Sequence, residues 1–346
     1  MSNNIKHILT IRLSAMGDVA MTVPVLRALT RQYPELQITV LTRSRFKPFF
    51  RDLKNVNILV ADLKGTHKGI LGLFRLSRAI KRLEIDAVAD LHNVLRTKIL
   101  KLFLTGIPFI QLDKGRSQKK ALIQGRIFEP LKSMHERYKD VFQPLGYPID
   151  LDNPAFPDPV ELSKKLLLLT GEQNKTWIGI APFAAYPGKM YPLDGMEEVI
   201  KTLSVSNQVF LFGGGKEEVR YLDGLVAKHD NVVNLAGKVN MDEELDIMSR
   251  LDLLLSMDSG NAHMAAMLGV KVLTIWGVTH PFTGFSAFNQ PEHYALLSDR
   301  NQYPLIPTSV YGNKCPDHYM DASKTISVQE ILTKIESIIK KPYSEE

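Results

Sequence analysis

Short apolar runs alternate along this chain with stretches in which apolar residues recur every three or four positions. The first kind of run has the length and content of a buried strand, the second the spacing of an amphipathic helix. Read this way, residues 7–13, 37–42, 55–60, 86–91 and 108–112 are strands, with helices at about 19–32, 46–53, 68–83 and 94–104 between them. The alternation stops and then restarts, with strands at 177–181, 208–212, 232–234, 252–256 and 272–276 and an amphipathic terminal helix at 328–340. Strands that alternate with helices form mostly parallel sheets covered on both faces, so the expected class is α/β.

The interruption is rich in proline: Pro144, Pro148, Pro154, Pro157 and Pro159 fall within one short stretch. Proline lacks the amide donor that a helix interior or a central strand needs, so this stretch reads as a linker. The expected organisation is a first domain over 1–150, a second over 160–325, and a terminal helix with a tail over 326–346. Both domains would be doubly wound and face one another across a cleft, with ligands at the carboxyl ends of their strands.

Composition narrows the class further. The chain has 346 residues, 45% hydrophobic and 23% charged, which fits a soluble globular protein with two cores. One cysteine, Cys315, excludes an internal disulfide framework and suits a reducing cytoplasm. No apolar run reaches about 18 residues, so neither a membrane span nor a signal peptide is expected. The net charge of +6 is unevenly spread: residues 1–150 hold 26 Lys and Arg against 12 Asp and Glu, and the remainder is acidic. Basic clusters at Arg43 to Lys54, Arg75 to Arg82 and Lys114 to Arg126 would attract a polyanion, an anionic membrane surface or a charged substrate. No recognisable nucleic-acid reading module accompanies them, so nucleic acid is not an expected partner.

The chemistry gathers at strand ends. The run Ser256-Met257-Asp258-Ser259-Gly260-Asn261-Ala262-His263 ends a strand and opens a helix. Backbone N–H groups at such a helix start attract an anion, and Asp258 beside them can bond hydroxyls of the group that carries it. Lys189 follows the strand at 177–181 and can neutralise a phosphate. The loop Gly213-Gly214-Gly215-Lys216-Glu217-Glu218 allows close backbone approach, with Glu217 or Glu218 available to ribose hydroxyls, and Gly237 follows the next strand. In the first half, the strand at 7–13 leads into Ser14-Ala15-Met16-Gly17-Asp18, where Asp18 is a helix cap or a carboxylate able to take a proton from a substrate hydroxyl. Neither the three-glycine dinucleotide fingerprint nor the P-loop is present. The pair Asp150 and Asp152 lies in the linker, away from any strand end, and is not expected to hold a metal.

Three of these segments resemble motifs of glycosyltransferase family 9, the lipopolysaccharide heptosyltransferases. Ser14 to Val19 is similar to its Ser-x-x-Gly-Asp motif, Lys189-Met190-Tyr191-Pro192 to its Lys-x-Trp-Pro motif, and Asp258 to Ala266 to its Asp-Thr/Ser-Gly-x-x-His-x-Ala-Ala motif. Tyr191 stands where the family usually has tryptophan. The resemblance implies a GT-B fold of two Rossmann-like domains and inverting transfer from an ADP-sugar, with heptose the best-known sugar. No cofactor or metal is implied. It makes Asp18 the general base, Lys189 a diphosphate ligand and Asp258 a contact to sugar hydroxyls, with Ser259 and Gly260 holding phosphate and His263 lining the same site. Glu217 and Gly237 complete the donor set. On the acceptor side, Ser14 and the basic residues Arg96, Arg116, Lys119 and Lys120 are the candidates for an anionic lipid A or inner-core glycolipid. Such an acceptor implies a cytoplasmic enzyme in peripheral contact with the inner membrane. Two rival readings share the architecture: a nucleotide-sugar epimerase, and a nucleotide-sugar-binding protein without turnover.

Overall fold

The computed structural model describes residues 5–340, and the tail expected at 341–346 lies outside them. The chain forms two compact units, Met1–Gly115 with Lys132–Ala155, and Arg116–Leu131 with Phe156–Glu346.

In chain order the first part gives β1 (His7–Ile11), α1 (Met16–Ala20), α2 (Thr22–Gln32), β2 (Gln37–Thr42), β3 (Val56–Val60), α3 (Gly69–Lys81), β4 (Ala87–Asp90), α4 (Leu95–Phe103) and β5 (Phe109–Gln111). After α5 (Arg116–Ile123) and α6 (Met134–Asp140), the second part gives α7 (Lys164–Thr170), β6 (Trp177–Ala181), α8 (Leu193–Leu203), β7 (Gln208–Leu211), α9 (Lys216–Val226), β8 (Val232–Asn234) and α10 (Met241–Met248). It ends with β9 (Leu253–Met257), α11 (Gly260–Met267), β10 (Val272–Trp276), β11 (Ala295–Leu297) and α12 (Val328–Lys340).

The first unit is built on a parallel sheet in the order β3-β2-β1-β4-β5. β1, β2 and β4 are buried almost throughout, which is why they read as continuous apolar runs. The helix expected at 19–32 is two helices, α1 and α2, parted at Met21. Pro24 sits in the first turn of α2, where its missing amide costs no hydrogen bond. The helix expected at 46–53 is a 3-10 segment, Ser44–Phe50, with Pro48 inside it.

The second unit carries the parallel sheet β11-β10-β9-β6-β7-β8. α8 buries Met196, Val199, Ile200 and Leu203 on one face, and α12 buries Ile331, Leu332, Ile335 and Ile338 against α8 and β9. In both sheets the order of strands reverses once, between β1 and β4 in the first and between β6 and β9 in the second. Loops beside such a reversal diverge and leave a crevice at the carboxyl ends of the strands.

Residues 116–131, placed in the first domain by the sequence reading, pack with the second unit. Aromatic contacts hold them there. The Phe128 ring lies 5.1 Å from His280 and 4.8 Å from Phe282, with the Arg300 guanidinium 3.4 Å from its centroid. The Leu131 amide donates to the Phe282 carbonyl at 3.0 Å, and the Lys119 ammonium sits 4.3 Å from the Phe285 centroid. Burial, then the Arg300 charge, pushes the His280 imidazole down to about 4, so it stays neutral in this cluster.

Candidate active site

In the first unit the site starts at Arg12, one residue beyond β1. Its guanidinium is buried and fully engaged: Nε donates to the Ser14 carbonyl at 2.8 Å, Nη1 to the Leu91 carbonyl at 2.7 Å, and Nη2 meets Asp18 Oδ2 at 2.6 Å. Arg12 therefore ties the loop after β1 to the loop after β4, on either side of the strand reversal. Asp18 is not the cap of α1. That position is Ala15, and Asp18, three residues into the helix, accepts the Ala15 amide at 3.2 Å with the same Oδ2. Among the described residues nothing bonds its other oxygen, Oδ1, so one oxygen is anchored and the other is open to a ligand.

The β4 loop is organised by buried Asp90. Its carboxylate accepts the His92 amide at 3.0 Å, the Asn93 amide at 2.9 Å and the Gln111 side-chain amide at 2.9 Å. This turn delivers His92, 8% exposed, into the neighbourhood of Arg12 and Asp18. Burial, reinforced by the charges of Arg12 and Lys114, pushes the His92 imidazole down to about 3, so the ring is neutral. Its Nδ1 is buried without a hydrogen-bond partner among the described residues. Sequence reasoning missed both Arg12 and His92, although each lies one or two residues past an apolar strand. Ser14 is half-buried, with its carbonyl given to Arg12. Arg96, exposed in the first turn of α4, lies near Arg43, whose pKa is lowered by burial and then by the like charges of Arg45 and Arg96.

In the second unit Lys189 and Asp258 come together. Lys189 Nζ is 2.8 Å from Asp258 Oδ2, and Thr279 Oγ1 donates to the same oxygen at 2.8 Å. The pair is almost buried, with side-chain exposures of 11% and 9%. Asp258 thus joins the loops after β6, β9 and β10, and its Oδ1, like that of Asp18, has no partner among the described residues. Two glycines position Lys189. A Cβ on Gly277 would lie 2.2 Å from the Gly188 carbonyl oxygen, so the loops pass backbone to backbone, joined by the Val278 amide to Gly188 at 2.9 Å. Gly312, with φ +75°, lies against the Lys189 stem, where a Cβ would come within 2.4 Å. Cys315 stands behind the same turn, its Sγ 3.2 Å from where a Gly188 Cβ would be, and burial raises its thiol pKa.

Ser259 caps α11 by position alone. Its side chain makes no cap bond and instead lies 3.1 Å from Ser256 Oγ, so Ser259 leaves the amides opening α11 at Gly260 uncapped by its own oxygen. His263 is buried within that helix. The two acids after the glycine loop part company: Glu218 Oε2 accepts the Gly214 amide at 2.7 Å, closing the loop, while Glu217 points outward, 3.8 Å from Arg220. Gly237 takes φ +73° beside a small polar cluster in which Asn234 and Lys238 bond Asp223 and hold its carboxyl below the usual range.

Tyr191, the departure from the family pattern, is a core residue. Its ring is 5% exposed and its hydroxyl donates to the Ile326 carbonyl at 2.9 Å, tying the Lys189 loop to the start of the α12 region. Arg116, Lys119 and Lys120 all lie on α5 and so belong to the second unit. Arg116 and Lys120 are exposed, but Lys119 is buried. Among the described residues no three His, Cys, Asp or Glu side chains gather as they would around a metal ion.

The sequence places this pair of sheets. A family model for glycosyltransferase family 9 (heptosyltransferase) matches residues 73–304. The chain belongs to glycosyltransferase family 9. Among curated family relatives, the lipopolysaccharide core heptosyltransferase OpsX of Haemophilus influenzae is 26% identical over 293 residues, covering 80% of each chain. The lipopolysaccharide heptosyltransferase 2 of Escherichia coli is 25% identical over 291 residues, 79% of this chain and 83% of the relative. Among solved structures, a family 9 glycosyltransferase from Veillonella parvula matches with a TM-score of 0.75 at 21% identity, covering 96% of this chain and 97% of that one. The E. coli heptosyltransferase WaaC with ADP-2-deoxy-2-fluoro heptose matches with a TM-score of 0.67 at 17% identity, covering 96% and 99%. The fold is GT-B, and the family membership makes the protein a glycosyltransferase.

Proposed function

We propose that this glycosyltransferase moves a heptosyl residue from ADP-heptose to an anionic inner-core or lipid A-type acceptor, with inversion at the anomeric carbon and without a metal or cofactor. The observation that carries the donor half is the Lys189–Asp258 pair next to the amides that open α11. A cation and a helix start are suited to the charge that grows on a departing diphosphate. Asp258 Oδ1 is free to accept a sugar hydroxyl, while Thr279 keeps the carboxylate in place. The names of the relatives, lipopolysaccharide heptosyltransferases in two species, support heptose as the sugar.

In the proposed reaction the acceptor hydroxyl oxygen attacks the anomeric carbon on the face opposite ADP. The bond from that carbon to the phosphate oxygen breaks, and its electron pair leaves with ADP. The hydroxyl proton passes to Asp18 Oδ1, the oxygen that Arg12 leaves open. Neutral His92 and the cationic residues Arg43, Arg45 and Arg96 offer donors to an anionic acceptor group. Glu217, also named from the sequence for the donor, turns its side chain to solvent, 87% exposed.

The test is a screen of ADP-, GDP- and UDP-sugars for binding and for acceptor-dependent turnover. ADP-heptose should be consumed only when acceptor is present, and the product should carry the inverted linkage. Donor conversion without acceptor would point to an epimerase instead, and binding without any turnover to a sensor.

A further inference from the structure

We propose that the paired outer faces of α3 and α4 form a docking surface for an anionic lipid bilayer. These helices pack against each other, joined by an edge-to-face contact of Phe74 with Phe103 at 5.5 Å. A soluble helix normally turns its large apolar side chains inward. Here Ile70, Leu71 and Phe74 on α3 and Leu95 and Leu102 on α4 face solvent, exposed by between 47% and 75%. They are not scattered singly over the molecule. Leu71, Phe74, Arg75 and Arg78 follow one face of α3, and Leu95, Lys98 and Leu102 follow one face of α4.

The charge on these helices selects the partner. The sequences Gly69–Lys81 and Leu95–Phe103 contain Arg75, Arg78, Lys81, Arg96, Lys98 and Lys101 and no Asp or Glu. A face meant only for solubility would mix both signs. A face that a protein partner or second copy buried would be expected to lose charge at its apolar centre. Exposed leucines interleaved with cations fit a lipid interface, where the side chains enter the acyl boundary and the cations meet the phosphates. Among the described residues no helix is long and apolar enough to cross a membrane, so contact through this face is superficial. The inference holds for whichever sugar the enzyme transfers.

The experiment is flotation of the full chain with vesicles that contain no sugar acceptor, so that docking is read without turnover. Vesicles of phosphatidylcholine with 30% phosphatidylglycerol should bind at least about tenfold more protein than phosphatidylcholine alone, and 0.5 M NaCl should release most of it, as screening predicts. The double change Leu71→Ser, Leu102→Ser and the triple change Arg75→Glu, Arg78→Glu, Lys98→Glu should each lower binding about tenfold or more. Thermal melting and ADP affinity of both variants should match the parent, because these side chains are exposed and lie outside the site. Equal flotation of parent and variants would overturn the proposal. So would a concentration-dependent dimer that the leucine changes abolish, which would assign the face to a second copy, or binding to duplex DNA in preference to the anionic vesicles.

Discussion

Lys189 and Asp258 meet at 2.8 Å in a nearly buried ion pair, with the Thr279 hydroxyl on the same carboxylate oxygen. The arrangement stores a cation at the strand reversal of the second sheet without leaving it unpaired. A diphosphate arriving there would share the ammonium, while Thr279 still holds Asp258. Lys189→Ala should therefore weaken ADP binding by about 1.5–3 kcal/mol, the size of a charged hydrogen bond. Titration calorimetry showing unchanged ADP affinity would remove Lys189 from the donor site.

Asp18 has one oxygen committed to Arg12 and the Ala15 amide and one oxygen open. Asn in its place keeps the shape and removes the carboxylate. Asp18→Asn should lower turnover by roughly 10² to 10⁴ and leave ADP affinity within about twofold. Turnover close to the parent enzyme in steady-state assays would assign the proton to another group.

Gly312 bears on Lys189 from behind. Its positive φ and the 2.4 Å approach of the lysine stem leave no room for a side chain. Gly312→Ala should displace the lysine and weaken ADP binding about as much as shortening Lys189 does, with the lysine itself still present. Normal ADP affinity in the alanine variant would show that the loop yields without cost.

Much of this was legible in the sequence, and the reasons differ by element. The strands at 177–181, 232–234 and 272–276 and the helix at 328–340 have the bounds read from the pattern, because buried parallel strands and a one-sided helix give strong contrast. β11, three residues long, gives none. α6 is polar and short, and its only local sign is Ser133 three residues before Glu136, whose amide the serine caps at 3.1 Å. Lys189 and Asp258 were each visible as residues at strand ends. Their contact, and the part of Thr279 in it, depends on which strands become neighbours, as does the link from Arg12 to Leu91. The transfer of α5 to the second unit was hidden for the same reason, since Phe128 finds Phe282 and Arg300 only in the folded chain.

Tyr191 shows how a departure from a family motif can be structural. The hydroxyl bond to Ile326 is buried, and Tyr191→Phe leaves that carbonyl without its partner. Urea denaturation should show a loss of about 1–2 kcal/mol, with ADP affinity unchanged. A drop in ADP affinity with no loss of stability would instead put the tyrosine hydroxyl in the donor site.

Stability should depend on pH in two opposite ways. His92, at about 3, stays neutral in the folded chain while the unfolded chain takes up a proton below about 6.5, so its contribution is present above that pH and is lost as pH falls toward 3. Burial pushes the Glu244 carboxyl up to about 7, so the folded chain holds a proton that the unfolded chain has released; stability is then lost as pH rises from about 4.5 to 7. Glu244→Gln should raise the urea midpoint at pH 8 and leave it nearly unchanged at pH 4. An equal shift at both pH values would mean that the effect is not one of ionisation.

The chain has one thiol, and it stands against the turn that presents Lys189. Nature has in effect supplied a reporter there: without removing any competing cysteine, alkylation of Cys315 can be followed by mass in the intact protein. The rate at which the thiol reacts, with and without ADP, then measures how firmly that turn is held as the nucleotide arrives.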